Sequence, residues 1–232
     1  MSSTIGDKAR SSREPDSGGF PPTARARGKI APVRFAHVVL RTNRRFKEMV
    51  RWYQTVLEAI PVFEDDNVCF MTYDGEHHRI AIARIPALLT APKFVTGSDH
   101  IAFSYADLGE LIFTYKRLKA AGITPYWPIN HGPTTSLYYH DPDGNGVELQ
   151  IDNYQDMDEL AKTFQTAEFD DNPIGEDIDF EELIRRYEAG EPLEELRKFQ
   201  TRSARSAASL PPAHLGRLHT VLTRIGGLLG RG

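Results

Sequence analysis

Residues 136–152 read SLYYHDPDGNGVELQID, two strand-like runs around a turn. DPDGNG supplies the Asp, Pro, Asn and Gly that tight turns use, each for its own backbone reason. In the second run Val147, Leu149 and Ile151 alternate with Glu148 and Gln150, the period of a strand with unlike faces. Upstream, 123–127 reads as a further strand. Before it a helix over Leu108–Ala121 stops at Gly122, a C-terminal cap. DHIAFSY, residues 99–105, is a strand before that helix. The unit is therefore β-α-β-β-β.

The same order appears earlier in the chain. VRFAHVVLR, 33–41, is a strand. RRFKEMVRWYQTVLEA follows, with Phe46, Met49, Val50, Tyr53, Val56 and Leu57 at helical spacing. Strands are expected at 60–64, 67–73 and 77–85, with a turn at Asp74-Gly75 between the last two. Laying the halves over each other matches His37 with His100 and Asp74-Gly75 with Asp143-Gly144, and brings His78 close to the place of Glu148.

Two histidines and one carboxylate, His37, His100 and Glu148, are the ligand set of a non-haem Fe(II) site with open positions. A shared metal also gives each ionisable side chain the partner it needs inside an apolar strand.

Beyond the modules, residues 1–30 are rich in Ser, Gly, Pro and Arg and read as a disordered leader. Residues 153–200 read as a helical extension, with an Asp179–Glu182 capping box, and 201–232 as a flexible tail. In the 232 residues, 40% are hydrophobic and 26% charged, and the net charge of −4 argues against a nucleic-acid binder. No apolar run has membrane-spanning length. The single cysteine, Cys69, excludes an intrachain disulfide and fits a reducing compartment, so a cytoplasmic protein is expected.

These features resemble the vicinal oxygen chelate superfamily, which includes glyoxalases, bleomycin resistance proteins and dioxygenases. The resemblance covers about residues 33–152. It implies an α+β fold in which two βαβββ modules (about 33–92 and 97–152 of a domain over 31–152) form a half-open barrel around a metal. Within the superfamily the chain looks most like type I extradiol ring-cleaving dioxygenases, whose metal ligands match His37, His100 and Glu148. HHRIAI matches their catalytic-histidine strand at His78, and Tyr138 stands ten residues before Glu148, as their tyrosine does. His131 is the candidate for a further histidine.

The resemblance implies Fe(II), with Mn(II) or another divalent metal as alternatives, a catechol-like aromatic substrate and O2. It gives His78 proton transfer beside the oxygen site, or else a fourth ligand position, and gives Tyr138 a hydrogen bond to a catecholate oxygen. A metal-dependent glyoxalase-like lyase or isomerase, or a non-catalytic small-molecule binder, are the other readings. Aromatic walls are expected from among Trp127, Phe103 and Tyr139. Turn chemistry alone accounts for Asp141 and Asp143. No nucleic acid or membrane partner is expected. A homo-oligomer is, and the long segment between His78 and His100, with Pro86 and Pro92, the 153–200 extension or a neighbouring subunit would cover the site.

Overall fold

The computed structural model describes residues 19–89 and 97–198. Much of the expected leader, the whole of the expected tail and the stretch around Pro92 lie outside the described residues. The first module contains β1 (Val38–Thr42), α1 (Phe46–Leu57), β2 (Ile60–Glu64), β3 (Val68–Thr72) and β4 (Ile80–Arg84). The second contains β5 (His100–Ser104), α2 (Leu108–Ala120), β6 (Trp127–Asn130), β7 (Thr134–His140) and β8 (Gly146–Asp152). The extension adds α3 (Met157–Thr163), α4 (Ala167–Asp171), β9 (Glu176–Asp177), α5 (Phe180–Glu188) and α6 (Leu193–Leu196). The fold is α+β, with two open mixed sheets ordered β1-β4-β3-β2 and β5-β8-β7-β6-β9. No helix among the described residues is long and apolar enough to cross a membrane.

Each helix buries its apolar stripe on one face of its own sheet. Phe46, Met49, Val50, Tyr53, Val56 and Leu57 of α1 join Leu40, Met71, Ile80 and Ile82 in a core that continues into α2, Leu137, Tyr139, Val147 and Leu149. Each such fully buried aliphatic or aromatic side chain contributes about 1.5–3 kcal/mol. The modules thus share one core, and polar groups bolt them together. Tyr53 donates to Asp141 Oδ2 at 3.1 Å, Arg45 donates to the Pro142 carbonyl, and Arg117 Nη2 donates to the Val56 carbonyl at 3.1 Å. Asp141 therefore does more than shape its turn, although it also accepts from the Asp143 and Asn145 amides there.

Several boundaries differ from expectation. The first strand begins at Val38, because the carbonyls of Phe35 and Ala36 are taken by Arg79 Nη1 instead of a neighbouring strand. The strand expected at 123–127 runs Trp127–Asn130. The Ile123 amide closes the end of α2 by bonding the Leu118 carbonyl, and Pro125 has no N–H to give. The fourth strand starts at Ile80, leaving His78 just outside it.

The largest correction concerns the overlay of the two modules. β1 and β4 are parallel with Val39 opposite Ala81, while β5 and β8 are parallel with Ala102 opposite Glu148. With His37 matched to His100, the first-module equivalent of Glu148 is Ala81, not His78. The β3–β4 turn is longer than the β7–β8 turn, and the count from the turn glycine misses this.

Candidate metal and catalytic centre

The second module gathers most of the expected residues on the sheet face away from α2. Ladder pairing sets Trp127, Tyr138, Glu148 and Ala102 in one row across β6, β7, β8 and β5. Period-2 alternation turns their neighbours Leu137, Tyr139, Val147 and Leu149 into the core. Tyr138 therefore shares the face of Glu148. Tyr139 is core, and Phe103 packs against the core instead of lining the site, whereas Trp127 stacks on Tyr138 with ring centroids 5.0 Å apart.

Glu148 is only 4% exposed, and His100 Nε2 lies 2.9 Å from its Oε2. Burial opposes ionisation of Glu148, but hydrogen bonds from His100 and Ser136 outweigh it and hold the carboxyl below its usual range. Hydrogen bonding to Glu148, helped by Asp99, pushes His100 up to about 9. Asp99 Oδ2 sits 2.7 Å from His100 Nδ1 and fixes the ring so that Nε2 faces Glu148. A histidine nitrogen beside a carboxylate oxygen, with the other ring nitrogen held by an acceptor, is a donor set suited to a divalent metal. A metal taking this place would displace the proton the pair now shares.

His131 Nε2 is 3.0 Å from the Tyr138 hydroxyl, and its Nδ1 meets the Ile174 carbonyl. A carbonyl only accepts, so Nδ1 carries the hydrogen. Burial lowers the His131 pKa and leaves Nε2 free to take a proton. Burial also raises the Tyr138 pKa, with Glu148 adding to the effect, so Tyr138 keeps its proton. Tyr138 hydrogen-bonds Glu148 as well, so one hydroxyl proton lies between two acceptors.

The first module holds a separate group. The His37 and His78 rings lie 4.3 Å apart, and His78 Nδ1 is 2.6 Å from His77 Nδ1. Burial lowers the His78 pKa, and the nearby His37 and His77 add to this, favouring a neutral imidazole. Arg79 ties this corner together, bonding Asp74 through Nε and the carbonyls of Phe35 and Ala36 through Nη1. His77 and His140 are exposed, the latter stacked on Tyr126. Among the described residues no three His, Cys, Asp or Glu side chains lie close enough to hold one ion. His100 and Glu148 are together, and His37 is not with them. Ser136 and Asp99 were missed from sequence. Both carried a signal, since Ser136 shares the Tyr138 face by alternation and Asp99 directly precedes His100.

Comparison with known proteins adds to this picture. The sequence model of the glyoxalase/bleomycin resistance protein/dioxygenase superfamily matches residues 34–149. Biphenyl-2,3-diol 1,2-dioxygenase 2 of Rhodococcus globerulus is 45% identical over 167 residues, 72% of this chain and 87% of that protein. Biphenyl-2,3-diol 1,2-dioxygenase 3 of the same organism is 43% identical over 165 residues, 70% of this chain and 86% of that protein. A solved glyoxylase/bleomycin resistance protein/dioxygenase domain from Frankia sp. EAN1pec superposes with a TM-score of 0.47 at 18% identity, over 56% of this chain and 98% of that one.

Proposed function

Because this chain belongs to the glyoxalase/bleomycin resistance protein/dioxygenase superfamily, we propose that it is an Fe(II)-dependent extradiol dioxygenase, opening the ring of a catechol-like aromatic with O2. The observation that carries the reading is the run of close contacts from half-buried His100 through buried Glu148 and Tyr138 to half-buried His131, in a chain 45% identical to a biphenyl-2,3-diol 1,2-dioxygenase. A biaryl diol is the first substrate class to test. Metal binding falls to His100, Glu148 and His37. When bound, Fe(II) supplies Lewis acidity to the diol oxygens and a place for O2 beside them.

The residues of the chain do the rest. Asp99 holds the His100 ring. Tyr138 stands beside Glu148 and donates to a diol oxygen, while His131 Nε2 takes or returns the hydroxyl proton. His78, kept neutral by its surroundings, acts as the acid–base group on the other side of the substrate. Trp127 gives an aromatic wall. Ala81, at the place equivalent to Glu148, offers no fourth protein ligand, which favours ring cleavage over the glyoxalase-like alternative. The lone buried thiol Cys69 accords with a cytoplasmic setting.

The test is anaerobic purification, metal analysis, and oxygen uptake with catechol, methylcatechols and 2,3-dihydroxybiphenyl. One O2 consumed per ring with a new visible absorbance is expected. Bound iron with no uptake across the panel would refute the assignment.

A further inference from the structure

His131 is held from two sides by different parts of the chain. It follows β6 in the short connection to β7, and its amide donates to the Thr134 carbonyl at 2.8 Å. Its Nε2 meets the Tyr138 hydroxyl at 3.0 Å, inside the second module, and its Nδ1 meets the Ile174 carbonyl, in the extension. A neutral imidazole carries one N–H, and the partner of one nitrogen decides which of the two has it. The Ile174 carbonyl can only accept. It selects the Nδ1–H form and leaves the Nε2 lone pair facing Tyr138.

The extension is shaped to hold that carbonyl in place. Residues 172–175 read Asn-Pro-Ile-Gly. Proline fixes its own φ and disfavours the helical region for the residue before it, so this loop has few free torsions. Ile174 packs against Trp127, Ile129 and Tyr138. Asn172 is 4% exposed and ties the loop to itself. Its Oδ1 accepts from the Gly175 amide at 2.9 Å, and its Nδ2 donates to the Gly175 carbonyl at 3.0 Å. Gly175 has φ +103, and a Cβ there would fall 2.6 Å from His131 Cα and closer still to the Asn130 carbonyl oxygen. Only glycine lets the loop backbone come this near the histidine. The connection is braced from its other side as well. Asn130 Nδ2 donates to the Arg197 carbonyl at 2.7 Å, Arg197 Nη1 to the Asn153 carbonyl at 2.8 Å, and Asn153 Nδ2 to the Gly132 carbonyl at 2.8 Å. Covering the edge of β6 does not require the loop, because β9 and the Trp127–Asp177 bond already do that. The Asn172 tie and the close approach at Gly175 converge instead on one acceptor and one ring nitrogen.

We infer that the 172–175 loop belongs to the proton-transfer apparatus, with Asn172 and Gly175 as positioning residues that hold His131 in its Nδ1–H form. The inference rests on the proposed dioxygenase reading. With Nε2 bare, the Tyr138 proton passes to His131 as the Tyr138 oxygen takes the proton of a diol hydroxyl, and both transfers reverse when a proton is returned. The ring keeps its Nδ1–H throughout. With the hydrogen on Nε2 the ring can only donate toward Tyr138, and the relay stops.

The test begins with metal-free protein carrying nitrogen-15 in its histidine rings. Long-range proton–nitrogen correlation spectra separate the two neutral forms, and His131→Gln identifies the His131 signals. Wild type should show a protonated Nδ1 and a bare Nε2 at His131. Asn172→Ala and Gly175→Ala should move the balance toward Nε2–H by about fivefold, the effect of one net hydrogen bond. With iron loaded, kcat for the diol should fall in step with the Nδ1–H population while KM and iron content hold. Asp107→Ala, which removes the cap of α2, is the control for general destabilisation and should change neither the ring nor kcat. An Nε2–H ring in the wild type, folded variants that keep the wild-type form, or a shifted balance with kcat unchanged would each overturn the inference and leave the dioxygenase reading standing. An iron-loaded wild type that takes up no oxygen with any diol would overturn that reading, and the relay with it.

Discussion

Replacing Tyr53 by Phe tests the packing that keeps the two modules in place. Tyr53 in α1 is fully buried, and its hydroxyl donates at 3.1 Å to Asp141, which is itself buried in the β7–β8 turn. The change removes one hydroxyl and leaves the ring beside Trp52. A hydrogen bond to a charged group contributes about 1.5–3 kcal/mol, so a loss of about 2 kcal/mol is expected at pH 7, and a Tm lower by roughly 4–8 °C. The dependence on pH has a definite sign. Burial raises the Asp141 pKa from its ordinary 3.8, while bonds from Asn145 and Tyr53 pull it back down. Because the folded value is raised, the carboxyl as a whole costs stability as pH climbs from 3.8 through that value. The Tyr53 bond works against that cost, and it does so only while Asp141 is ionised. The penalty of Tyr53→Phe should therefore be full at pH 7 and shrink as pH falls toward 4. Denaturant melts at both pH values, at one protein concentration, measure it. A loss under about 0.5 kcal/mol at pH 7, or an equal loss at both pH values, would refute the assignment of this bond as an ionic clamp.

Gly146→Ala would put a Cβ 2.3 Å from the Asp99 carbonyl and 3.0 Å from His100 Cβ, forcing β5 off β8 at the ligand. Iron affinity should fall about tenfold or more by metal titration, while His37 is untouched. His131→Ala takes one partner from Tyr138, so kcat/KM for the diol should drop about 10²-fold with iron content unchanged. Tyr138→Phe should give a similar loss, and the double variant should be little worse than either, because the two act on one proton. Asp107→Ala removes the carboxylate that caps α2 by accepting from the Glu110 amide at 2.9 Å, and should cost about 1 kcal/mol in urea melts.

The repeat and its strands could be read from sequence because periodicity and turn chemistry are local. Phe46 to Leu57 sit on one side of α1 as spaced, Gly122 adopts φ +78 after α2, and Asp179 caps α5 through the Glu181 and Glu182 amides. What depended on long-range pairing was not legible. The parallel register that makes Ala81 the counterpart of Glu148 is fixed between β1 and β4, and nothing near Ala81 announces it. The β9 pairing of Glu176 with Asn130 involves two residues, too few to leave a pattern, though Trp127 Nε1 anchors it by donating to Asp177 at 2.7 Å. His100 and Glu148 could be placed together because one parallel ladder joins them. Where His37 goes depends on how one module packs against the other, and that follows from the shared core and not from any short motif.

The two modules have diverged in complementary directions, and the divergence bears on chemistry. In the second, the position opposite Ala102 holds a buried carboxylate that costs desolvation and is stabilised by His100 and Ser136. In the first, the equivalent position is Ala81, flanked by Val39 and Phe70, and no charge needs to be stabilised there. A second carboxylate would make a site symmetric about the metal and fill a coordination position with protein. On the proposed reading Ala81 leaves that position to substrate, and the apolar row beside it suits an aromatic ring more than an anion. On the proposed reading, the absence of a carboxylate there accounts for both an open coordination position and an apolar wall for the ring.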